Sequence, residues 1–581
     1  MTFSLSAAAQ ARRELWLFLL FALVILGAGI GMRDPWPADE PRFALAAKQM
    51  VESGNWLIPH RGSELYADKP PAFMTMQATL YTLIGNWRVA FLLPSLLAAL
   101  GTLWVVYDLA RRLWDHRTGL YAAGALLAVF QFVYQAKRAQ IDPSVTFFVT
   151  LANYGLLRHF LLGPDWRTYW LGCFAAGLGV ITKGVGVLAL LMFAPYIFAR
   201  LAHWNSIASV PRSALRWLIG GIAFAAALAL WLVPMLLAVH ASNVPEYAAY
   251  ANDILVRQTA GRYTDSWDHQ HAFWYYAGVI ASGWLPLILA LPGVLPRWRD
   301  ALRARDARIL LPLAWVVLII VFFSIPKGKR DVYILPALPM FALCIAPFLH
   351  DVLQRLWAKR TALALLVLIG AGFLATGLYA WLAQPPFARD LAEQRGLGNG
   401  AAALWWLLIA LGAWTLACAA LFRVACGVRG LLAGVAGLWL LWSFWAYPLL
   451  NDSSSARGLM QHAGEMIGPE AELALVAWKE QNLLLADRRV IDFGFVNPWH
   501  RQLADAIRWQ EAEPAGSAHP RWIFILADAM APCIDPARAR YVGHANRREW
   551  WLFRVDAVAT DCRGGKVPAP NSEGDNDPNS D

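Results

Sequence analysis

Apolar runs of about 17 to 25 residues recur along most of this chain, the length an α-helix needs to cross the hydrocarbon of a bilayer. They fall at 15–32, 89–109, 118–135, 144–162, 169–182, 184–200, 216–239, 274–295, 309–325, 331–349, 361–382, 402–422 and 430–449. That makes about thirteen helical spans, the fifth and sixth sharing one apolar stretch broken at Lys183-Gly184. With 58% of its 581 residues hydrophobic and 15% charged, the chain is excluded from the ordinary soluble enzymes. The fold class expected is an α-helical polytopic membrane protein.

Lys and Arg close to span ends set orientation. Short loops carrying Arg12 and Arg13, then Arg111, Arg112 and Arg117, then Arg200, Arg212 and Arg216, then the arginines of 297–308, then Arg355, Lys359 and Arg360, are expected on the cytoplasmic face with the N-terminus. The first run is long and has no clean cleavage site after it, so it reads as an anchor rather than a signal peptide. The extracytoplasmic loops are then about 33–87, 136–143, 240–273 and 325–333, completing a membrane domain over 1–450.

After Leu450 the composition changes. "AELALVAW", "RWIFILAD" and "EWWLFRV" are strand-like and alternate with the helical "PWHRQLADAIRWQEAE", so 451–565 is expected to be a small soluble α/β domain on the outer face. Residues 566–581, rich in Pro, Asn, Asp and Ser, are expected to be disordered. Four of the six cysteines lie in or beside spans and read as small apolar groups. Cys533 and Cys562 both fall in the outer domain, where an oxidising compartment would permit a disulfide between them. The net charge of +10 is spread along one membrane face, so no nucleic-acid partner is expected.

The outer loops carry the chemistry. "RDPWPADEPRFA" follows the first span and opens a loop holding Asp34, Asp39, Glu40, Arg42, Lys48, Asp68 and Lys69, within which "PRFALAAKQMVESG" has the pattern of an interfacial helix. In "LYADKPPAFM" two prolines stiffen the backbone after Lys69 and bias it away from helix, which suits a lysine to a phosphate headgroup. "QAKRAQIDPS" sets Asp142 before Pro143 at a helix start, where simple capping would also explain an acid. "SIPKGKRDVYILPALP" packs Lys327, Lys329, Arg330, Asp331 and Tyr333 between two spans. Cations in loops opposite the positive-inside face argue for an anionic ligand there. "SWDHQHAFWYY" adds His269 and His271, which with Asp68 are candidate ligands for zinc or manganese. Catalysis is not expected to require a metal or other cofactor.

Taken together, "ADEPRFA", "GNWLIPHRGSELYADKPP", "IDPSVTFF", "ITKGVGVL" and "FSIPKGKRDVYILPALP" resemble the bacterial aminoarabinose transferases of lipid A modification. These are grouped with the protein O-mannosyltransferases among the GT-C glycosyltransferases, which use polyprenyl-phosphate sugars. The resemblance implies a bacterial inner-membrane enzyme whose C-terminal domain is periplasmic. It implies functional acids at Asp39, with Glu40 beside it, and at Asp142. It implies carrier-phosphate or substrate contacts from Arg42, Lys69, Arg257 and Tyr333, with Lys327 and Lys329 as further cations. The chain departs from the family pattern at Pro41, at Asp68 and in "GKRDVY", which bears on sugar and acceptor more than on reaction type.

The implied reaction makes chemical sense. A sugar on undecaprenyl phosphate carries a leaving group that needs charge neutralisation more than protonation. A hydroxyl acceptor would require Asp39 as general base, whereas a lipid A phosphate is already ionised and would leave Asp39 to position the sugar. In-line attack without a covalent intermediate gives inversion. Two other readings stay open: transfer to Ser or Thr of an envelope protein, and a transporter or flippase for the same lipid. The second should show mid-span ionisable residues and inverted repeats, and neither is evident.

Overall fold

The computed structural model describes residues 7–211, 213–256, 270–514 and 516–568. Eight of its helices are long and apolar enough to cross a membrane, or up to ten if each of two bent pairs is one span, among the described residues. The three remaining runs expected to span are also helical, as Ala7–Gly27, Ile141–Leu161 and Trp166–Thr182. The first carries Arg12, Arg13 and Glu14, the second is dotted with polar side chains, and the third has 17 residues. Length and hydropathy therefore support eight to ten spans, and the count of thirteen rests on these more polar or shorter helices as well.

Two runs read as single spans are broken. His116–Ala128 and Phe130–Ala136 meet at 72° through extended Val129, and Tyr275–Gly283 and Leu287–Ala304 meet at 92°. A helix break orphans backbone polar groups, which hydrocarbon cannot satisfy. Here the two breaks face each other. Phe130 N–H donates to the Leu285 carbonyl at 2.9 Å, and Trp284 Nε1 donates to Gln131 Oε1 at 2.9 Å. The amide of Gln131 goes on to donate to the Asp331 carbonyl at 2.9 Å, tying the paired breaks to the loop that follows Ser324.

The stretch broken at Lys183-Gly184 also turns as the sequence suggests. Trp166–Thr182 ends, Lys183 is extended, and Gly184–Met192 continues as a tighter 3-10 segment. A Cβ on Gly186 would collide with the backbone of Gly179, so only glycine allows the chain to fold back this closely and leave Lys183 at the corner.

The first loop contains the helix Asp39–Ser53 and a two-residue hairpin, β1 (His60–Arg61) and β2 (Glu64–Leu65). Gly62 turns the hairpin at φ +68°, and a Cβ there would strike the ring of Trp478. The C-terminal region holds a mixed five-stranded sheet. Its strands are β3 (Glu472–Val476), β4 (Val490–Asp492), β5 (Arg521–Leu526), β6 (Arg540–Ala545) and β7 (Arg548–Phe553), in the order β4-β3-β5-β7-β6. β3 lies parallel to β4 and β5, while β7 is antiparallel to β5 and β6. The central strands are apolar and buried almost throughout, as expected for strands covered on both faces. Helix Trp499–Glu511 covers one side through Leu503, Ala506 and Ile507, and Cys533 is joined to Cys562 by a disulfide.

Candidate active site

Four loops converge at one end of the helical bundle. Asp39 opens the helix Asp39–Ser53, where the N-terminal dipole favours an anion. Arg330 reaches it from the loop after Ser324, with one guanidinium nitrogen 3.2 Å from Asp39 Oδ2. Gln140 Nε2 donates to the same oxygen at 3.4 Å, and a guanidinium nitrogen of Arg42 stands 3.8 Å from Oδ1. Burial works against the Asp39 charge, but Arg330, Arg42 and Arg138 outweigh it and hold the carboxyl below its usual range. Burial likewise works against the Arg330 charge, and Asp39, Asp142 and Tyr333 more than restore it.

Asp142 lies in the first turn of Ile141–Leu161, whose N-cap is Gln140. It therefore stands inside the first turn rather than at the N-cap position. Oδ1 accepts a 2.6 Å bond from Lys183 Nζ, and that ammonium stands 5.0 Å from the ring centroid of Tyr333. Tyr276 Oη donates to the Arg330 carbonyl at 3.3 Å, steadying the backbone behind the guanidinium. The result is a partly open cluster of two carboxylates and two cations. The Arg330 side chain is 40% exposed and that of Asp39 16% exposed, so a ligand can reach the guanidinium without unfolding anything.

Glu40 and Asp39, both expected as functional acids, have different surroundings in the structure. Glu40 is 1% exposed and every acceptor direction is filled. Arg33 clamps it with bonds of 2.5 and 2.7 Å, and the backbone N–H groups of Trp36 and Ala139 each donate at 2.9 Å. Arg33 is itself wedged against the rings of Trp36, Phe91 and Tyr447. This pair is a buried strut. Lys329 is likewise 2% exposed, and its ammonium donates to the carbonyls of His271 at 3.0 Å and Pro326 at 2.5 Å, which engages it within its own loop.

The other expected residues are distributed around the cluster. Arg42 is adjacent to Asp39, but its Nε donates to Glu480 Oε1 of the C-terminal region at 2.8 Å. Lys327 is exposed, and its carbonyl accepts from His271 N–H. Asp68 and Lys69 are half-buried just before the helix Ala72–Ile84, on a strand of chain that includes buried Tyr66. Burial raises the Tyr66 phenol above its usual range, and Asp68, Arg42 and Asp39 all lie within electrostatic reach of it. Arg257 and His269 lie outside the described residues. The ring of His271 stacks on Tyr275 at 4.2 Å, and no group of three metal-binding side chains occurs among the described residues.

The sequence groups Arg330 with the other charges of its loop and assigns no role to Lys183. A lone lysine inside an otherwise apolar stretch is the signal that marks Lys183, since such a charge must find a partner. Nothing local distinguishes Arg330 from Lys327 and Lys329, its neighbours in one loop.

Comparison with known proteins bears on the fold and the family resemblance. Residues 68–233 match the family model described as dolichyl-phosphate-mannose-protein mannosyltransferase. A Pseudomonas aeruginosa (strain UCBPP-PA14) protein named undecaprenyl phosphate-alpha-4-amino-4-deoxy-L-arabinose arabinosyl transferase is 28% identical over 541 residues, covering 86% of this chain and 91% of its own. A Pseudomonas fluorescens protein of the same name, numbered 1, is 33% identical over 359 residues, 60% of this chain and 61% of its own. The crystal structure of ArnT from Cupriavidus metallidurans bound to undecaprenyl phosphate superposes with a TM-score of 0.69 at 20% identity, covering 93% of this chain and 98% of that one. The expected GT-C architecture and the resemblance read from the loop motifs are both borne out.

Proposed function

We propose, from a GT-C fold and relatives that share most of its length, that this multi-pass membrane protein is a glycosyltransferase that moves a sugar from undecaprenyl phosphate to lipid A. The sugar is of the aminoarabinose type named for its relatives. It is read as an inner-membrane protein, with the N-terminus cytoplasmic and the C-terminal domain periplasmic, as the arginine distribution suggests.

The reading is carried by the Asp39–Arg330 and Asp142–Lys183 pairs meeting at one loop surface. A departing undecaprenyl phosphate takes the electron pair of its bond to the anomeric carbon and must be neutralised. Arg330 and Lys183, with Lys69 and Arg257 as expected further cations, are suited to that. The acceptor oxygen attacks from the opposite face, so the configuration inverts. An acceptor phosphate brings no proton to remove. Asp39, held below the usual carboxylate range, is a weak base and suits an ionised acceptor better than a Ser or Thr hydroxyl. It then positions the sugar and stabilises positive charge developing at the anomeric carbon. No resident metal or cofactor is invoked.

Mass spectrometry of lipid A, with envelope glycoproteins analysed in parallel, tests this in cells lacking the gene and complemented with wild type, Asp39→Asn or Lys183→Met. An aminoarabinose adduct restored only by wild type supports the reading. A protein glycoform that follows the gene while lipid A is unchanged moves the acceptor to protein, and full restoration by both variants sinks the assigned site.

A further inference from the structure

The helix that opens with Asp39 packs against Ala72–Ile84 on one side and is also held by the C-terminal domain. Glu480 is 4% exposed and accepts from Arg42 Nε at 2.8 Å, with a guanidinium nitrogen of Arg61 at 3.9 Å from the same oxygen. Nearly two turns further along, Lys48 Nζ donates to the Leu484 carbonyl at 3.3 Å. The hairpin beyond the helix is docked as well, through Ser63 Oγ on Asp492 at 2.6 Å and Val496 N–H on Glu64 at 3.1 Å. Arg61 lies over the ring of Phe495 at 4.0 Å.

Arg42 thus faces two carboxylates, bonded to Glu480 and standing 3.8 Å from Asp39. A buried guanidinium that loses one anion moves toward the other, because an unpaired buried charge is costly. Closing that gap would occupy the Asp39 oxygen not already engaged by Arg330 and Gln140, and would turn the carboxylate away from the open side of the cluster.

We infer that Glu480 is a positioning residue for the transfer reaction: by holding Arg42 off Asp39, it makes the C-terminal domain part of the active site. Glu480 touches no reacting atom and acts only through Arg42. The inference rests on the assignment of Asp39 to the reaction centre.

The test is a double-mutant cycle on the full-length protein in nanodiscs. Steady-state transfer from undecaprenyl-phosphate-linked aminoarabinose to lipid A is measured for wild type, Glu480→Gln, Arg42→Gln and the double variant, with thermal melting of each. Glu480→Gln should lower kcat by about 10- to 100-fold, the scale set by a misplacement of about 1 Å at a reacting group, with KM for the donor changed less than about twofold. In the Arg42→Gln background the same substitution should change kcat by less than about twofold, since the group it acts through is gone. A merely structural role would lower both backgrounds alike and follow the melting temperature. If Glu480→Gln does not fold, Glu480→Asp carries the comparison, because it keeps the charge and withdraws it by one methylene. Unchanged kcat, or equal losses in both Arg42 backgrounds, overturns the inference. A wild type that transfers nothing overturns the proposed function instead.

Discussion

Asp39 and Glu40 are consecutive acids in the first turn of one helix, and only their surroundings divide them. Glu40 is enclosed by Arg33 and two backbone N–H groups, while Asp39 faces the open side through Arg330. Asp39→Asn should therefore leave melting unchanged and reduce transfer by about 10²–10³-fold, the effect of removing one preorganised electrostatic group. Glu40→Gln should do the reverse, stranding a buried guanidinium at a cost of about 3–5 kcal/mol, seen as lost folded protein on size exclusion. Asp34 gives a pH dependence. It is 1% exposed, bonded to both Arg88 and Arg457 and to Asn451, and these partners outweigh burial to hold its carboxyl far below the usual range. Its contribution is complete above the unfolded value of about 3.9 and is lost as pH falls through the folded one. The melting difference between wild type and Asp34→Asn should be constant from pH 8 to about 5 and shrink below about pH 4. Neighbouring acids look alike in sequence because ionisation and access depend on partners the sequence does not display, as with Arg138 and Arg330 around Asp39.

Among the elements, the two broken spans place the site. Their breaks satisfy each other, and Gln131 passes the contact on to the Asp331 backbone, next to Arg330. Gln131→Leu should leave Trp284 Nε1 buried without an acceptor, costing about 1–3 kcal/mol in a chemical or thermal melt. It should also weaken donor binding, because Arg330 and Tyr333 both lie on the loop it restrains. The first break has neither proline nor glycine at Val129, so the apolar run 118–135 reads as one span, whereas the second falls between Gly283 and Pro286, where the sequence does offer a kink. A second element-scale device sits nearby. Lys137 Nζ donates to the carbonyls of Ile25, Leu26 and Ala28, closing the C-terminal end of the first helix, where a cation is favoured. Burial and Arg33 push its ammonium down to about 7 against that pull. A lysine in a loop otherwise read as ligand-binding is here a cap.

At the scale of the whole molecule, the C-terminal domain and the first loop form one structure, joined through Asp34–Arg457, Arg42–Glu480 and Ser63–Asp492. Replacing Cys533 and Cys562 by serine opens a loop of sequence separation 29. The chain-entropy model then assigns a loss of about 3–4 kcal/mol to the domain. Transfer should fall in step with unfolding of that domain while the helical bundle stays intact, which limited proteolysis after mild heating would separate. The sequence by itself determined the membrane class, most of the helical segments, the strands β3, β5 and β7 of the C-terminal sheet but not β4 or β6, and the loops that carry charge. Each of these is written in a local period or run length, because a backbone in hydrocarbon must satisfy its hydrogen bonds within its own helix. Tertiary structure alone decided which charges meet. Arg42 meets Glu480 across 438 residues and Arg330 meets Asp39 across 291. Coulombic pairing and desolvation act over a few ångströms of space, so no spacing along the chain encodes them.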